Sequence, residues 1–169
     1  MTLILRALLI VLALLLIGLG LLLAAGQLGL LRGSPPSRLG LTDGKLKPPS
    51  KTPNSVSSQA DLWPDHPQRD YARIEPLPAG ADADAAWARL RQVVAAMPGA
   101  EVVKTEGDYL YATFGTRWLR FTDDVEFWLD RGAGVIHVRS ASRLGRRDFG
   151  VNRARVQALR AAYEAAARG

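Results

Sequence analysis

Apolar and polar residues are distributed very unevenly along the chain. Residues 7–31 carry no charge and a single polar side chain, Gln27, and the stretch is bounded by Arg6 and Arg32. A helix of about 20 apolar residues crosses a bilayer core of about 30 Å. The pattern therefore predicts a transmembrane helix, with residues 1–32 as a membrane anchor.

A cleaved secretory signal is the alternative interpretation of this segment. Ala24-Ala25-Gly26 offers the small residues that a cleavage site needs. The apolar run is longer than the core of an ordinary signal peptide, however, and it continues through Leu28, Leu30 and Leu31. We therefore expect an uncleaved anchor, which makes the protein a single-pass protein of the inner (plasma) membrane.

Two features of the sequence favour opposite orientations of this helix. A short head before a long apolar segment is typical of a signal-anchor, whose downstream domain is exported. The positive-inside rule favours a cytoplasmic C-terminal part, because basic residues follow the apolar run closely: Arg32, Arg38, Lys45, Lys47 and Lys51. We expect export of the C-terminal domain, on the resemblance described below.

Residues 33–70 have the composition of a linker. Five of the ten prolines of the chain lie between Pro35 and Pro53, among several serines. Proline lacks a backbone N–H and serine competes for backbone hydrogen bonds, so a helix or a central strand is disfavoured there. We predict an irregular Pro/Ser-rich tether between the anchor and the domain.

The remaining residues, 71–169, show two helical patterns that flank a region of alternation. Asp82 or Asp84 can cap the first helix, whose apolar stripe consists of Trp87, Leu90, Val94 and Met97. The second helix is predicted over residues 151–167. Between them, four segments alternate as strands do, at residues 101–105, 109–115, 119–129 and 134–142. The order predicts an α+β domain, a four-stranded antiparallel sheet with both helices on one face.

The pattern also predicts a register for the last two strands. If Phe127 opposes Ile136 and Val125 opposes Val138, one face of the pair is apolar and can meet the helices. The other face then consists of opposite charges exposed to water, with Glu126 facing His137 and Asp124 facing Arg139. In the same register Asp123 lies on the apolar face, where a buried carboxylate needs a partner unless a bulge at Asp123-Asp124 turns it outwards.

Composition excludes several classes of protein. With 22 basic and 16 acidic residues the net charge is +6, which favours anionic surfaces weakly, and the chain has no cysteine. Disulfides, thiolate catalysis and cysteine metal sites are therefore excluded. Glycine-rich nucleotide loops are absent as well, so we expect no cofactor.

The charged strand residues are the first candidate site. The cluster of Asp123, Asp124, Glu126, His137 and Arg139 could serve acid–base chemistry or hold a hard metal ion. The spacing matches no metal signature, and Asp123 lies on the opposite face from Asp124 and Glu126. We therefore interpret these residues as a solvated charge ladder and predict no metal site.

The segment before the last helix is the second candidate, as an anion-binding loop. A helix N-terminus offers N–H donors and a positive dipole end to an anion, and the candidate binding residues are Arg143, Arg146, Arg147, Asn152 and Arg153. Asp148 is a candidate cap for the helix. The alternative is a capped turn with solvated arginines. Nucleic acid is not expected as a partner, because aromatic residues are not interleaved with the arginines.

Several short motifs resemble a known family. In chain order they are residues 53–59 (PNSVSSQ), 74–76 (IEP), 123–127 (DDVEF), 138–143 (VRSASR) and 150–153 (GVNR), and together they are similar to the uncharacterised family catalogued as domain of unknown function 1499. The resemblance implies a protein of the bacterial cell envelope or of plastids. Many relatives carry a cysteine at the position of Ser55 and another near Pro49. Their joint absence here suits a dispensable disulfide of an oxidising compartment, which favours export.

We therefore expect a membrane-tethered envelope protein that acts as a non-enzymatic binding or interaction module. Its partners would be the membrane and an anionic lipid or protein. The alternative is an envelope enzyme that uses the carboxylate and histidine cluster on the sheet, and a pocket joining those groups would favour it.

Overall fold

The computed structural model describes residues 2–168. The helices are α1 Leu3–Gln27, α2 Arg69–Ala72, α3 Ala83–Ala96 and α4 Val151–Ala165, with a 3-10 turn at Ala60–Leu62. The strands are β1 Ser55–Ser57, β2 Leu77–Pro78, β3 Ala100–Glu106, β4 Tyr109–Gly115, β5 Thr122–Asp130 and β6 Val135–Ser142. The α+β class is confirmed, as are the apolar N-terminal helix and the two helices flanking an antiparallel sheet.

The sheet has six strands, so the prediction of four strands is wrong. Its order is β1-β6-β5-β4-β3, and β2 pairs with β6 as β1 does. The two additional strands are three and two residues long and lie at the edge of the sheet. They are supported by β6 and by the core, because Val56 and Leu77 are fully buried. Strands this short have too little alternation to be recognised in a proline-rich segment.

One face of the sheet, the helix face, packs against α3 and α4. Val125, Phe127 and Leu129 of β5 point to this face and join the main apolar core. The helices contribute the buried side chains of Trp87, Leu90, Val94, Val156, Leu159 and Tyr163. Spacings of three and four place these side chains on one side of each helix, so burial of that stripe holds the helices on the sheet.

The other face of the sheet, the outer face, is covered by residues 39–54. Leu46 is buried there against Tyr109 and Tyr111 of β4. The backbone N–H of Leu46 donates to Gln59 Oε1 at 2.8 Å, and Gln59 Nε2 donates to Gly44 O at 3.2 Å. The predicted tether is thus irregular in backbone but packed on the sheet, and β1 within it is a strand. Composition indicates the largely irregular backbone but cannot show that single apolar residues such as Leu46 are buried.

The predicted register of the last two strands is wrong by two residues. Phe127 pairs with Val138, Val125 with Ser140, and Glu126 with Arg139. A shift of two residues keeps every side chain on its predicted face, so the hydrophobic pattern does not distinguish the two registers. The turn between the two strands determines the register. Asp130 pairs with Val135, and residues 131–134 form the loop, in which Gly134 has φ +67°.

Helix α1 ends against the domain. A Cβ atom at Gly26 would lie 2.7 Å from the backbone of Leu119, and Gln27 Nε2 donates to Trp118 O at 2.8 Å. The helix has a mean hydropathy of 3.1 in its most apolar window, and no residue of that window is buried. It is long and apolar enough to span a membrane, a property that a signal sequence shares.

Candidate functional site

The charged residues of the outer face form buried ion pairs. Glu126 is 0% exposed and Arg139 is 4% exposed, and Arg139 Nη1 donates to Glu126 Oε2 at 3.4 Å. Glu126 Oε1 also accepts the Tyr109 hydroxyl at 2.8 Å and the Gly40 N–H at 2.9 Å. Burial and the neighbouring carboxylate of Glu126 raise the pKa of Tyr109 far above its usual value. The expected solvated charge ladder is therefore a buried network instead.

A second pair lies beside the first on the same face. The guanidinium of Arg143 holds Asp124 through Nε at 3.0 Å and Nη2 at 2.7 Å. The Tyr111 hydroxyl donates to Asp124 Oδ1 at 2.5 Å and accepts from Arg143 Nη2 at 3.0 Å. Burial and the hydrogen bond to Asp124 raise the pKa of Tyr111 to about 12. The hydroxyl is thus fixed as a donor to the carboxylate.

Asp123 has the partner that its predicted place on the apolar face requires. Arg155 of α4 donates from Nη2 to Asp123 Oδ2 at 2.5 Å. The same guanidinium lies over the ring of Phe114 and donates from Nη1 to Ser140 Oγ at 3.1 Å. This pair ties α4 to β5 across the helix face, and it leaves the Asp123 carboxylate on the opposite side of the sheet from Asp124.

His137 is separated from the carboxylates with which it was grouped. It stacks on Trp128, and its Nδ1 shares a hydrogen bond of 3.1 Å with the Ser58 hydroxyl. The carboxylate that it approaches is that of Asp130, at 4.0 Å. Burial lowers the pKa of His137 more than Asp130 raises it. The structure therefore does not join His137 to Asp124 or Glu126, and residues 2–168 contain no group of acidic and histidine side chains that could hold a metal ion.

Three of the five predicted anion-binding residues form contacts inside the domain. Asn152 is fully buried and donates to Ser142 Oγ at 2.9 Å and to Asn54 O at 3.1 Å. Arg153 donates to the backbone carbonyls of Arg73 and Tyr71. With Arg143 bound to Asp124, three of the five candidate residues hold the loop in place.

Asp148 caps α4 with its side chain. Its Oδ2 accepts the Asn152 N–H at 3.0 Å and its Oδ1 accepts the Gly150 N–H at 3.1 Å, and the Tyr71 hydroxyl donates to the same carboxylate. Burial alone would raise the pKa of Asp148, but these hydrogen bonds outweigh it and lower the pKa below its usual value. The first N–H groups of α4 are thus already occupied by a carboxylate, so a helix N-terminal anion site is closed.

The other two candidates, Arg146 and Arg147, are exposed together with a large apolar side chain. Neither guanidinium forms an ion pair or a side-chain hydrogen bond within the described residues. Phe149 beside them is 93% exposed and has φ +51°, a region that bulky residues rarely adopt. All three line a groove of about 800 Å³ that also includes Lys51 and Arg153.

These residues lie at the end of the sheet that is closest to α1, here called the proximal end. The 116–121 loop and the 143–150 loop both emerge there, because β4 and β6 end and β5 begins at this edge. Gly26 contacts Leu119, and a Cβ atom at Gly33 would lie 2.9 Å from Arg143 Cβ. The 116–121 loop exposes Trp118, which is 64% exposed, between Arg117 and Arg120.

A larger groove opens on the outer face at the proximal end. Its volume is about 880 Å³, and its walls come from the start of the linker, from β3 and β4 and from the 116–121 loop. Four arginines line it, namely Arg32, Arg117, Arg120 and Arg143. We call it the basic groove. Neither groove is lined by Asp123, Asp124, Glu126 or His137.

Sequence reasoning missed the residues that meet only through the fold. Tyr109 and Tyr111 are two residues apart on β4, a spacing that puts both on one face, but nothing local shows that carboxylates lie opposite them. Arg32, Arg117 and Arg143 come from three distant segments. Arg155 could have been recognised from the sequence as a partner of β5. It lies one helical turn after the capped start of α4, on the side that faces β5.

Comparison with known proteins identifies the family of the chain. No curated protein and no solved structure is significantly similar to it. A family model described as a protein of unknown function, DUF1499, matches residues 45–163. The match begins within the segment that covers the outer face and ends in α4, so it contains both buried ion-pair networks. Since it spans well over half of the sequence, the chain belongs to the DUF1499 family.

Proposed function

We propose that this protein is a membrane-tethered binding module whose proximal end contacts an anionic bilayer. Helix α1 is the anchor, and the domain binds through the 116–121 and 143–150 loops without catalysing a reaction. The observation that carries the proposal is the combination of exposed aromatic and arginine side chains, Trp118, Phe149, Arg146 and Arg147, at the end where α1 joins the domain.

The contact between α1 and the domain supports an uncleaved anchor. Gly26 is buried against Leu119, and the Gln27 side chain is bonded to the 116–121 loop. A signal peptide that is removed has no reason to fit the mature domain so closely. With α1 in the bilayer, its C-terminal end holds the proximal end at the level of the lipid headgroups.

The side chains at this end suit that position. Trp118 suits the membrane–water interface because its ring is amphipathic, and an apolar side chain such as Phe149 can enter the boundary between headgroups and acyl chains. Each basic residue near an anionic surface contributes about 1 kcal/mol to binding. Phe149 is held outward at φ +51°, a backbone conformation that costs energy and that a functional contact would explain.

The experiment uses a chain that begins at Gly33 and therefore lacks α1. The two apolar clusters contain no residue before Leu39, so the shortened domain keeps its core. Binding is measured by sedimentation with vesicles of phosphatidylcholine and phosphatidylglycerol at low salt. We expect association that falls by about tenfold or more in the double variant Arg146→Gln, Arg147→Gln.

The matched control removes the same charge elsewhere. Arg91 of α3 and Arg168 beyond the far end of α4 are exposed, so Arg91→Gln with Arg168→Gln should weaken binding much less. Phe149→Ser should also weaken it, because the ring no longer enters the interface. Absence of vesicle binding at low salt, or an equal loss in the control variant, would contradict the proposal.

A further inference from the structure

The basic groove lies over the part of the outer face that residues 39–54 leave uncovered. Tyr111 and Thr113 of β4 form its floor, together with Glu101 of the edge strand β3. Arg32 and Pro35 form the wall nearest α1, and the 116–121 loop closes the proximal end. The groove is therefore bordered by the first residues that follow the apolar helix.

Arg143 is fixed at the wall of this groove with one nitrogen available. Its side chain is 9% exposed, and its Nε and Nη2 atoms are bound to Asp124 and Tyr111. Within residues 2–168, Nη1 has no hydrogen-bond partner, although it is not among the fully buried polar atoms. A guanidinium held rigidly by a carboxylate on one side can present its remaining N–H groups to a ligand with little loss of entropy.

The groove has a net positive charge, as an anion-binding site requires. The carboxylate of Asp124 matches Arg143, which leaves Arg32, Arg117 and Arg120 against the single carboxylate of Glu101. None of these three arginines forms an ion pair with a described residue, and all three are exposed. Hydroxyl groups of Thr113 and Thr116 also line the groove, whereas the Thr122 hydroxyl donates to Arg120 O at 3.4 Å.

The backbone at Arg120 supports a functional use of its side chain. Arg120 has φ +56°, in the left-handed region where glycine is favoured on backbone grounds. An arginine there carries a conformational cost, and strained backbone of this kind concentrates at ligand-binding loops. Arg120 is one of the residues that line the groove.

We infer that the basic groove binds the phosphate group of an anionic lipid headgroup. Arginine guanidinium groups match the oxygen atoms of a phosphate, and charge-assisted hydrogen bonds of this type are stronger than neutral ones. Free phosphate shares the same chemistry. The lipid is favoured because Arg32 follows the end of α1 by only a few residues, which brings the groove to headgroup level. The inference rests on the proposed function in this one respect, that the proximal end lies at the bilayer.

The test uses the full chain in mild detergent micelles and three soluble probes. These are dihexanoyl phosphatidic acid, dihexanoyl phosphatidylcholine and inorganic phosphate, and binding is followed by calorimetry and by phosphorus NMR. We expect saturable binding of the phosphatidic acid, with weaker binding of the other two. Inorganic phosphate binding as tightly as phosphatidic acid would overturn the assignment to a lipid.

Three variants locate the binding in the groove. Arg32→Gln with Arg120→Gln should weaken phosphatidic acid binding by roughly tenfold or more, because two charge-assisted contacts are lost. Glu101→Gln should strengthen it by roughly two- to fivefold, because a like charge is removed from the rim. A general loss of folding would not produce both changes.

The matched control separates this inference from the proposed function. Arg146→Gln with Arg147→Gln makes the same charge change on the 143–150 loop, and it should leave phosphatidic acid binding unchanged while it weakens vesicle association. An equal loss in this control, or the absence of saturable binding, would overturn the groove site. Intact groove binding without vesicle association of the shortened domain would instead contradict the proposed function alone.

Discussion

At the scale of single residues, three of the four carboxylates of β5 are each paired with an arginine, and the fourth, Asp130, lies near His137. Asp123 is held by Arg155, Asp124 by Arg143 and Glu126 by Arg139. A buried ion pair contributes little net stability compared with apolar packing, but removing one partner leaves an uncompensated charge. Substitution of one member of such a pair is therefore expected to destabilise the domain.

The pair of Glu126 and Arg139 gives the sharpest residue-scale prediction. Glu126→Gln should lower the free energy of unfolding by about 3–5 kcal/mol, because Arg139 then remains buried without a counter-charge. The measurement is denaturant unfolding of the full chain in detergent micelles. Asp70→Asn is the control, since it breaks the exposed ion pair with Arg69 and exposed pairs contribute little. Equal stability of the Glu126→Gln variant and the wild type would show that the outer-face network is not maintained.

At the scale of elements, the helices and the four long strands could be predicted because each has enough residues to show its period. Both β1 and β2 are too short for that, and β2 contains Pro78. The two-residue error in register has a similar cause, since Val125 and Phe127 stay on the helix face in either register. The local sequence pattern determines helices and strands, whereas the pairing of one strand with another depends on turn geometry.

Some features of the candidate site also follow from the local sequence, whereas others depend on the fold. The need of Asp123 for a partner follows from strand alternation alone, and so does the helix cap at Asp148. The basic groove could not be predicted, because it combines Arg32, Arg117 and Arg143, whose proximity exists only in the folded domain. The ion pair of Arg143 with Asp124 likewise forms only in the folded domain.

The segment that covers the outer face gives the element-scale prediction. Leu46 is buried against Tyr109 and Tyr111, so Leu46→Ala should lower the free energy of unfolding by about 2–5 kcal/mol, as a core substitution does. Leu41→Ala is the matched control, because Leu41 lies in the same segment and is exposed. Chemical unfolding of the two variants measures the difference. A loose tether would give the same small effect at both positions.

At the scale of the whole molecule, the fold places three kinds of feature at one end. The end of α1, the two exposed loops and the basic groove all lie at the proximal end of the sheet. The opposite end carries the turn between β5 and β6. The proposed contact surface therefore lies where an anchor would hold it, so tethering and binding would reinforce each other through a high effective concentration.

The orientation of the anchor is the last prediction, and the packing of residues 39–54 bears directly on it. Five basic residues follow the apolar run, but Lys45, Lys47 and Lys51 belong to the segment that packs on the sheet, where Lys47 Nζ donates to Ser37 O at 2.9 Å. Whole domains translocate largely regardless of their charge. Only Arg32 and Arg38 then remain as topological signals, against Arg6 and the α-amino group on the other side.

We therefore expect an exported domain in spite of the basic residues after the helix. A phosphatase fused after Gly169, which is active only outside the cytoplasm, should be active, and a cytoplasmic reporter at the same position should be inactive. Lys45→Gln with Lys47→Gln should leave both results unchanged, because these charges translocate with the domain. An inactive phosphatase that becomes active in that double variant would show instead that the basic residues hold the domain in the cytoplasm.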